Sequence, residues 1–456
     1  MRILHRIMTV LIMAVFLASC SLFDKDPLPE ITVPKNILTG YSTPQYDLPQ
    51  YNIILILTDD QRYDTLQYMP NVQELLVDQG INFTNAFATT PHCAPSRANI
   101  FTGMYAHNNG MLQNDGPFGG FFAFDDSFSV NLWLQDAGYT TGLIGKYLNG
   151  YKPNENDWYT PPGWDYWLIQ KNDDSEENIS GRYFNYTMYE NGKNIIVGGA
   201  PEDYGTDLMA QRAVKFIQDS AGEQPFFLFF SPPAPHFPAV PAPRHEGFYN
   251  DITLWRPESF NVPETPDDKA IDPALLAEND DFRISQLNSL LAVDDAVASI
   301  VSALEESGEL NTTLIVFTSD HGYLWGEHAL AMVKSTFYDE SLRVPFVVRF
   351  PGMSTSPRIV EEYGLLVDLA PTFTEIAGLG SPEGIDGVSL LPLIFGDDVN
   401  WREEFIFEIW KTDNLRLTKG IITREWKLTV IEDEVDFLFN RLEDPLELNN
   451  LAGEAQ

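Results

Sequence analysis

Five short, mostly apolar runs, Ile53–Leu57, Thr140–Ile144, Phe226–Phe230, Leu314–Phe317 and Pro345–Arg349, limit what this chain can fold into more than any other feature. Runs of this length with few polar interruptions read as strands buried on both faces of a sheet. Between them lie segments with helical spacing, Asn71–Gln79, Ser129–Ala137, Thr206–Ser220 and Arg283–Glu306. In the last, Ile284, Leu287, Leu291, Val297, Ile300, Val301 and Leu304 keep one face apolar, and Gly308 supplies a stop. The alternation predicts an α/β fold with a mostly parallel sheet sandwiched by helices. Catalytic groups in such a fold gather at the carboxyl ends of the strands. From about Trp401 the texture changes to Phe405–Ile409, Arg416–Ile422 and Trp426–Val430, broken by charged turns. This predicts a small antiparallel sheet in a C-terminal α+β subdomain over residues 397–456, appended to a main domain over 51–396.

The chain opens with Arg2, His5 and Arg6, runs through the apolar stretch Ile7–Leu17, and reaches Leu17-Ala18-Ser19-Cys20. A positive start before an apolar core too short to span a bilayer comfortably predicts a secretory signal over residues 1–20. Its end resembles a bacterial lipobox. That implies cleavage before Cys20, a lipid on this cysteine, and an exported protein anchored in a bacterial envelope at the periplasmic face or cell surface. A plain signal peptide with a chance cysteine is the alternative. Residues 21–50 contain Pro27, Pro29, Pro34, Pro44 and Pro49 with little periodicity and are expected to form a partly extended tether.

The chain has two cysteines, and with Cys20 lipidated Cys93 has no partner for an intramolecular disulfide. Stability must then come from buried apolar surface, which 456 residues at 44% hydrophobic can supply. The formal net charge of −38 argues against nucleic acid as a partner. It also requires that any anionic substrate find a local positive pocket inside a negative envelope.

Two of the apolar runs end in acidic residues: Thr58-Asp59-Asp60 and Ser319-Asp320-His321-Gly322. Carboxylates crowded at strand ends repel, and a hard divalent cation with oxygen ligands, Ca²⁺ or Mg²⁺, is the simplest neutraliser. Helix capping or a turn is the plainer reading of either pair alone. Around Cys93 the order is Pro91-His92-Cys93-Ala94-Pro95-Ser96-Arg97. Pro95 suits a first helical position, and a helix start with Arg97 nearby favours an anion. A free thiolate there would be nucleophilic, which raises a cysteine-dependent phosphatase. Those enzymes resemble a loop with five residues between Cys and Arg, whereas three separate Cys93 from Arg97 here.

Cys-x-Pro-Ser-Arg instead resembles the modification motif of the type I sulfatase family, whose cysteine is oxidised to formylglycine. The resemblance runs from Asn52 to the C-terminus. Asn52–Gln61 looks like the opening metal strand, Thr102–His107 like the helix exit, and Gly145-Lys146-Tyr147-Leu148-Asn149-Gly150 like the second signature. Ala234-Pro235-His236 resembles the histidine loop, Ser319–Gly322 the second metal strand, and Lys334 with Tyr338–Pro345 the lysine segment. Asp444–Leu451 resembles the family's ending, and Gly145–Gly150 with Pro161–Trp164 looks most like the N-acetylglucosamine-6-sulfatase and extracellular heparan sulfatase branch.

The resemblance implies an alkaline-phosphatase-like fold and a calcium site of Asp59, Asp60, Asp320 and His321, touched also by formylglycine 93, with Mg²⁺ as the weaker candidate. The hydrated aldehyde would attack sulfur through one hydroxyl while the ester oxygen leaves from the opposite face, and re-forming the aldehyde would expel sulfate. The cation, Arg97, Lys146 and Lys334 would stabilise charge on the sulfuryl oxygens, and His236, with Lys334 as a candidate assistant, would protonate the leaving sugar oxygen. The implied partners are a sulfated saccharide and a formylglycine-generating maturation enzyme.

Many family members carry a histidine where this chain has Leu148; Asn149 or His107 are the candidate substitutes. His321 either binds the cation or hydrogen-bonds the diol or the sulfate. Taken singly, Lys146 and Lys334 read as solvated surface lysines, and His107, His245 and His328 as ordinary polar residues. Trp158, Trp164 and Trp167 suit sugar stacking but more often pack. Two other functions share these features: a phosphodiesterase or phosphonate monoester hydrolase on the same fold, and a non-catalytic glycan-binding lipoprotein.

Overall fold

The computed structural model describes residues 46–151, 159–170, 182–263, 269–352, 357–410, 417–432 and 434–454. The expected signal, Cys20, nearly all of the tether and Trp158 lie outside the described residues.

The apolar runs form the middle of a ten-stranded sheet. Asn52–Thr58 lies between Phe226–Ser231 and Thr313–Ser319, parallel to both. Thr140–Gly145 and Tyr166–Gln170 extend the parallel set beyond Phe226–Ser231. The outer strands are mixed: Thr187–Glu190 and Lys193–Ile196 are antiparallel on one flank, and Phe346–Arg349 runs antiparallel to Thr313–Ser319 on the other.

Successive side chains of a strand point to opposite faces, and each face has its own core. Ile53, Leu55, Leu57, Phe227, Phe229, Leu314 and Val316 pack with Ala98, Phe101, Val130, Leu134 and Phe373 from helices Cys93–Thr102, Val130–Asp136 and Leu369–Ile376. Ile54, Ile56, Leu228, Phe230, Ile315 and Phe317 face Met209, Phe216, Ile217, Val293, Val297 and Ile300 from Gly205–Ser220 and Pro273–Glu306. The sheet is thus sandwiched by helices, as the alternation predicted. Phe101 stacks on Phe229 at 4.9 Å between centroids, so truncating Phe229 to alanine costs about 3–5 kcal/mol through the cavity it leaves.

The C-terminal region forms a four-stranded antiparallel meander, Glu404–Trp410, Leu417–Thr423, Trp426–Ile431 and Glu434–Asn440. Its Phe405, Phe407, Ile422, Phe437 and Phe439 pack on Phe87, Leu324, Phe337 and Tyr338 of the larger layer.

Three local expectations need correction. The long helix begins ten residues early, at Pro273, because Asp272 caps it by accepting from Ala274 N at 2.9 Å and proline suits its first position. Its opening residues, Pro273-Ala274-Leu275-Leu276-Ala277, are apolar yet mostly exposed and are followed by Glu278-Asn279-Asp280-Asp281, so no apolar stripe in the sequence reveals them. Asn71–Gln79 divides into an α-turn, Pro70–Val72, and a π-helical turn, Gln73–Val77, whose start is held by Asp294 accepting from Asn71 N and Val72 N. The helix expected to open at Pro95 opens at Cys93; a proline at its third position loses nothing, since the first four N–H groups have no acceptor within the helix.

Candidate active site

Strand register assembles the centre. Thr58 pairs with Ser319, which sets Asp59 and Asp320 side by side at adjacent carboxyl ends. The chain turns immediately afterwards: Asp60 has a φ of 70°, and its N–H donates to Asp320 Oδ1 at 3.2 Å. Asp59 N–H donates to Ala234 O at 3.2 Å, tying the histidine loop to the same strand end. All three carboxylates are buried.

Helix Cys93–Thr102 starts directly over these strand ends. Cys93 Sγ lies 3.3 Å from Lys334 Nζ, 3.4 Å from His321 Nε2 and 3.6 Å from Asp59 Oδ1. Burial alone would raise this thiol's pKa, but Lys146, Lys334 and His321 hold it well below the usual value. One turn along, Arg97 is enclosed: Nε donates to Asp320 Oδ2 at 2.9 Å, and Nη1 donates to Lys146 O at 2.9 Å and Ser231 Oγ at 2.7 Å. Its Nη2 is buried with no hydrogen-bond partner among the described residues. A guanidinium with one free N–H edge can still receive an oxygen anion.

Neither lysine is the solvated residue it resembles in isolation. Lys146 is 8% exposed and donates to Asp59 Oδ2 at 2.5 Å; Lys334 is 23% exposed and donates to Asp60 Oδ1 at 2.8 Å. Lys146 is aimed by Gly145, whose φ of 119° brings its backbone against Ser231; a Cβ there would stand 2.0 Å from Ser231 O. His321 Nδ1 is 2.9 Å from Gly322 O, and Nε2 faces Asp60 Oδ1 at 3.3 Å. Burial would lower the pKa of this ring, yet Asp320 and Cys93 raise it to about 9. Burial and the neighbouring Asp59 push the Asp320 carboxyl upward. For Asp59 burial acts in the same direction, but Lys146 outweighs it and keeps that carboxyl below its usual range. His236 stands at the margin, Nε2 3.9 Å from Asp60 Oδ2, with Tyr183 Oη donating to its backbone O at 2.6 Å.

The structure therefore brings together Asp59, Asp60, Cys93, Arg97, Lys146, His236, Asp320, His321 and Lys334. Ligand atoms of Asp59, Cys93, Asp320 and His321 converge within 4.8 Å, as do those of Asp59, Asp60, Cys93 and His236. A carboxylate-rich donor set of this kind fits a hard divalent cation.

His107 does not take the place of the missing histidine. Its Nδ1 is held by Glu408 of the C-terminal sheet at 3.0 Å and its Nε2 is buried without a hydrogen-bond partner among the described residues, so neither ring nitrogen bonds residue 93, while Leu148 is buried in the core. Asn149 Oδ1 is buried without a hydrogen-bond partner among the described residues. Trp164 and Trp167 are also core residues, packed 6.0 Å apart, and so unavailable for sugar stacking. His245 pairs with Asp295, and His328 stacks on Tyr338. Ser231 and Arg182 were missed. Ser231 merely ends an apolar strand, and Arg182 follows no motif.

Fold and site define a class: an α/β protein whose buried polar centre sets a carboxylate cluster among fixed cations at the rim of a mostly parallel sheet. The chain belongs to the sulfatase family; the Sulfatase family model matches residues 51–379, and that for the N-sulphoglucosamine sulphohydrolase C-terminal region matches residues 326–456. It is 37% identical over 378 residues to the extracellular sulfatase SULF-1 homolog of Drosophila melanogaster, covering 78% of this chain and 33% of that protein. To the N-acetylglucosamine-6-sulfatase of Homo sapiens it is 32% identical over 389 residues, covering 78% and 67%. The chain thus spans a third to two thirds of these relatives' lengths. Among solved structures, BT4656 in complex with its substrate D-glucosamine-2-N,6-O-disulfate superposes with a TM-score of 0.73 at 27% identity, covering 89% of this chain and 94% of that one. A phosphonate monoester hydrolase from Silicibacter pomeroyi matches at 0.72 and 22% identity, which establishes common fold alone.

Proposed function

We propose that the protein is a sulfuric ester hydrolase that removes sulfate from a glycan, with 6-O-sulfated N-acetylglucosamine as substrate and residue 93 acting as formylglycine. One observation carries this reading: Cys93 Sγ is buried at a helix start within 3.6 Å of Asp59, His321 and Lys334. The family assignment and the likeness to N-acetylglucosamine-6-sulfatases support it.

Cys93 Sγ stands in for the oxygens of the hydrated aldehyde. That group supplies a nucleophilic hydroxyl and a means of releasing sulfate that serine lacks. Ca²⁺, in preference to Mg²⁺, would be held by Asp59, Asp60, Asp320 and His321 beside residue 93, and when bound supplies positive charge to the sulfuryl oxygens. Arg97 offers its unpartnered Nη2 to the same oxygens, with Lys146 and Lys334 on either side. This is the local positive pocket that a chain of net charge −38 needs for an anionic substrate. His236, at the edge of the carboxylate cluster and 16% exposed, protonates the departing sugar oxygen.

The test is mass spectrometry of the peptide around residue 93 together with sulfate release from N-acetylglucosamine 6-sulfate. Conversion of thiol to aldehyde lowers the peptide mass by about 18 Da, as follows from the covalent change. Full conversion without release of sulfate from any sulfated sugar would sink the assignment, and a higher kcat/KM on an aryl phosphodiester than on an aryl sulfate would replace it with a phosphodiesterase. A maturation enzyme that recognises Cys93–Arg97 is the partner this chemistry requires. Export and anchoring in a bacterial envelope through a lipid on Cys20 complete the reading; detergent-phase partitioning of the full chain, lost in Cys20→Ser, tests the anchor.

A further inference from the structure

We infer that Arg182, with the exposed ring of Phe237, forms a subsite for a second anionic group on the substrate, a sulfamate or a carboxylate, beside the ester that is cleaved. The inference rests on His236 as proton donor to the leaving oxygen. A donor must touch the atom it protonates, so whatever lies against the His236 ring lies against the departing sugar. Apart from Asp60, which lies 3.9 Å from Nε2, Arg182 meets that condition. Arg182 Nη1 is 3.1 Å from His236 Nε2, contacts Nδ1 of the same ring, and donates to Phe237 O at 3.3 Å. Two hydrogen-bond lengths therefore separate Arg182 from the leaving oxygen, about 6 Å in all. That span reaches another substituent of the same sugar or the next residue of a glycan.

Phe237 follows His236 directly and is 53% exposed, its ring steadied by Phe282 at 5.7 Å between centroids. An aromatic face held open beside a proton donor suits the apolar face of a pyranose. Arg182 itself is partly exposed, lies against the His236 ring and donates to a carbonyl. Arg62, Arg97, Arg244, Arg256, Arg402 and Arg441 each pair with a carboxylate, whereas no carboxylate among the described residues pairs with Arg182. A guanidinium with no carboxylate partner among the described residues, at the mouth of the pocket that holds Arg97, Lys146 and Lys334, matches a planar carboxylate or a sulfamate.

The experiment compares kcat/KM of the mature enzyme on N-acetylglucosamine 6-sulfate, on glucosamine 2-N,6-O-disulfate, and on a disaccharide joining a uronic acid to N-acetylglucosamine 6-sulfate. The wild type should prefer one of the two dianionic substrates by roughly 10–100-fold, the worth of a hydrogen bond to a charged group, and which one distinguishes sulfamate from carboxylate. The preference should shrink with added salt. Because Arg182 touches His236, Arg182→Gln slows every substrate; the readout is the ratio, which should collapse toward one and be partly restored in Arg182→Lys. Equal slowing of all three substrates with the ratio intact would make Arg182 a support for His236 only and overturn the subsite, as would a wild type without preference at any salt concentration. Failure of the fully converted wild type to release sulfate from all three is a separate result, and it strikes the hydrolase reading itself.

Discussion

Lys146 and Asp59, 87 positions apart in sequence, form a buried ion pair with Nζ 2.5 Å from Oδ2, in which the lysine neutralises a carboxylate of the proposed cation site and its charge holds the pKa of the Cys93 thiol down. A buried charge that loses its partner costs far more than a surface ion pair is worth.

Lys146→Met should therefore destabilise the protein by about 3–5 kcal/mol when divalent cations are absent. With Ca²⁺ present the loss should be smaller, because the ion offers Asp59 a second positive partner. Denaturant unfolding with and without chelator measures both values. Equal stability of variant and wild type in chelator would show that Asp59 does not depend on Lys146.

Asp59, Asp60 and Asp320 lie buried together, and the Asp320 carboxyl is pushed upward by burial and by Asp59. A cation should relieve that repulsion. Chelation is expected to lower the melting temperature and abolish activity; Ca²⁺ restored at a hundredfold excess over its Kd returns about 2.7 kcal/mol. Mg²⁺ should return less. Calorimetric titration of the apo protein checks this, and a melting temperature insensitive to both ions would remove the metal from the proposal.

His107 joins the catalytic layer to the C-terminal sheet through Glu408, with Nδ1 3.0 Å from Oε1. Burial would lower the pKa of this imidazole, but Glu408 prevails and raises it. The sign follows: a histidine whose folded pKa exceeds its unfolded value contributes stability that is complete below about pH 6.5 and is lost as pH rises through the folded pKa. His107→Gln should remove this part of the decline in melting temperature on the alkaline side of pH 6.5, while changing nothing in its pH dependence well above the folded pKa. Parallel melting curves of variant and wild type across the whole range would exclude His107 as the titrating group.

Some of the centre was legible because its signals are local. Asp59 and Asp320 each end an apolar run, so their place at a strand's carboxyl end follows from the run itself. Cys93 and Arg97 are four residues apart, one helical turn, whatever the rest of the chain does. The core strands were legible for the same reason, since their apolar residues occupy both faces. The first turns of Pro273–Glu306 were not, because their apolar residues are mostly exposed and the acidic run Glu278–Asp281 breaks the stripe, so only the Asp272 cap and Pro273 mark where that helix begins.

What the sequence determined alone is the set of chemical groups and the strand or helix each one rides on, because propensity and apolar periodicity act over a few residues. Tertiary structure decided which groups meet: Thr58 opposite Ser319, Arg97 against Ser231, Lys334 over Asp60, His107 on Glu408, and Arg182 on His236. These contacts join residues from 54 to 301 positions apart. They follow from sheet register and the closing of a dense core, where the energy of one pairing depends on all the others.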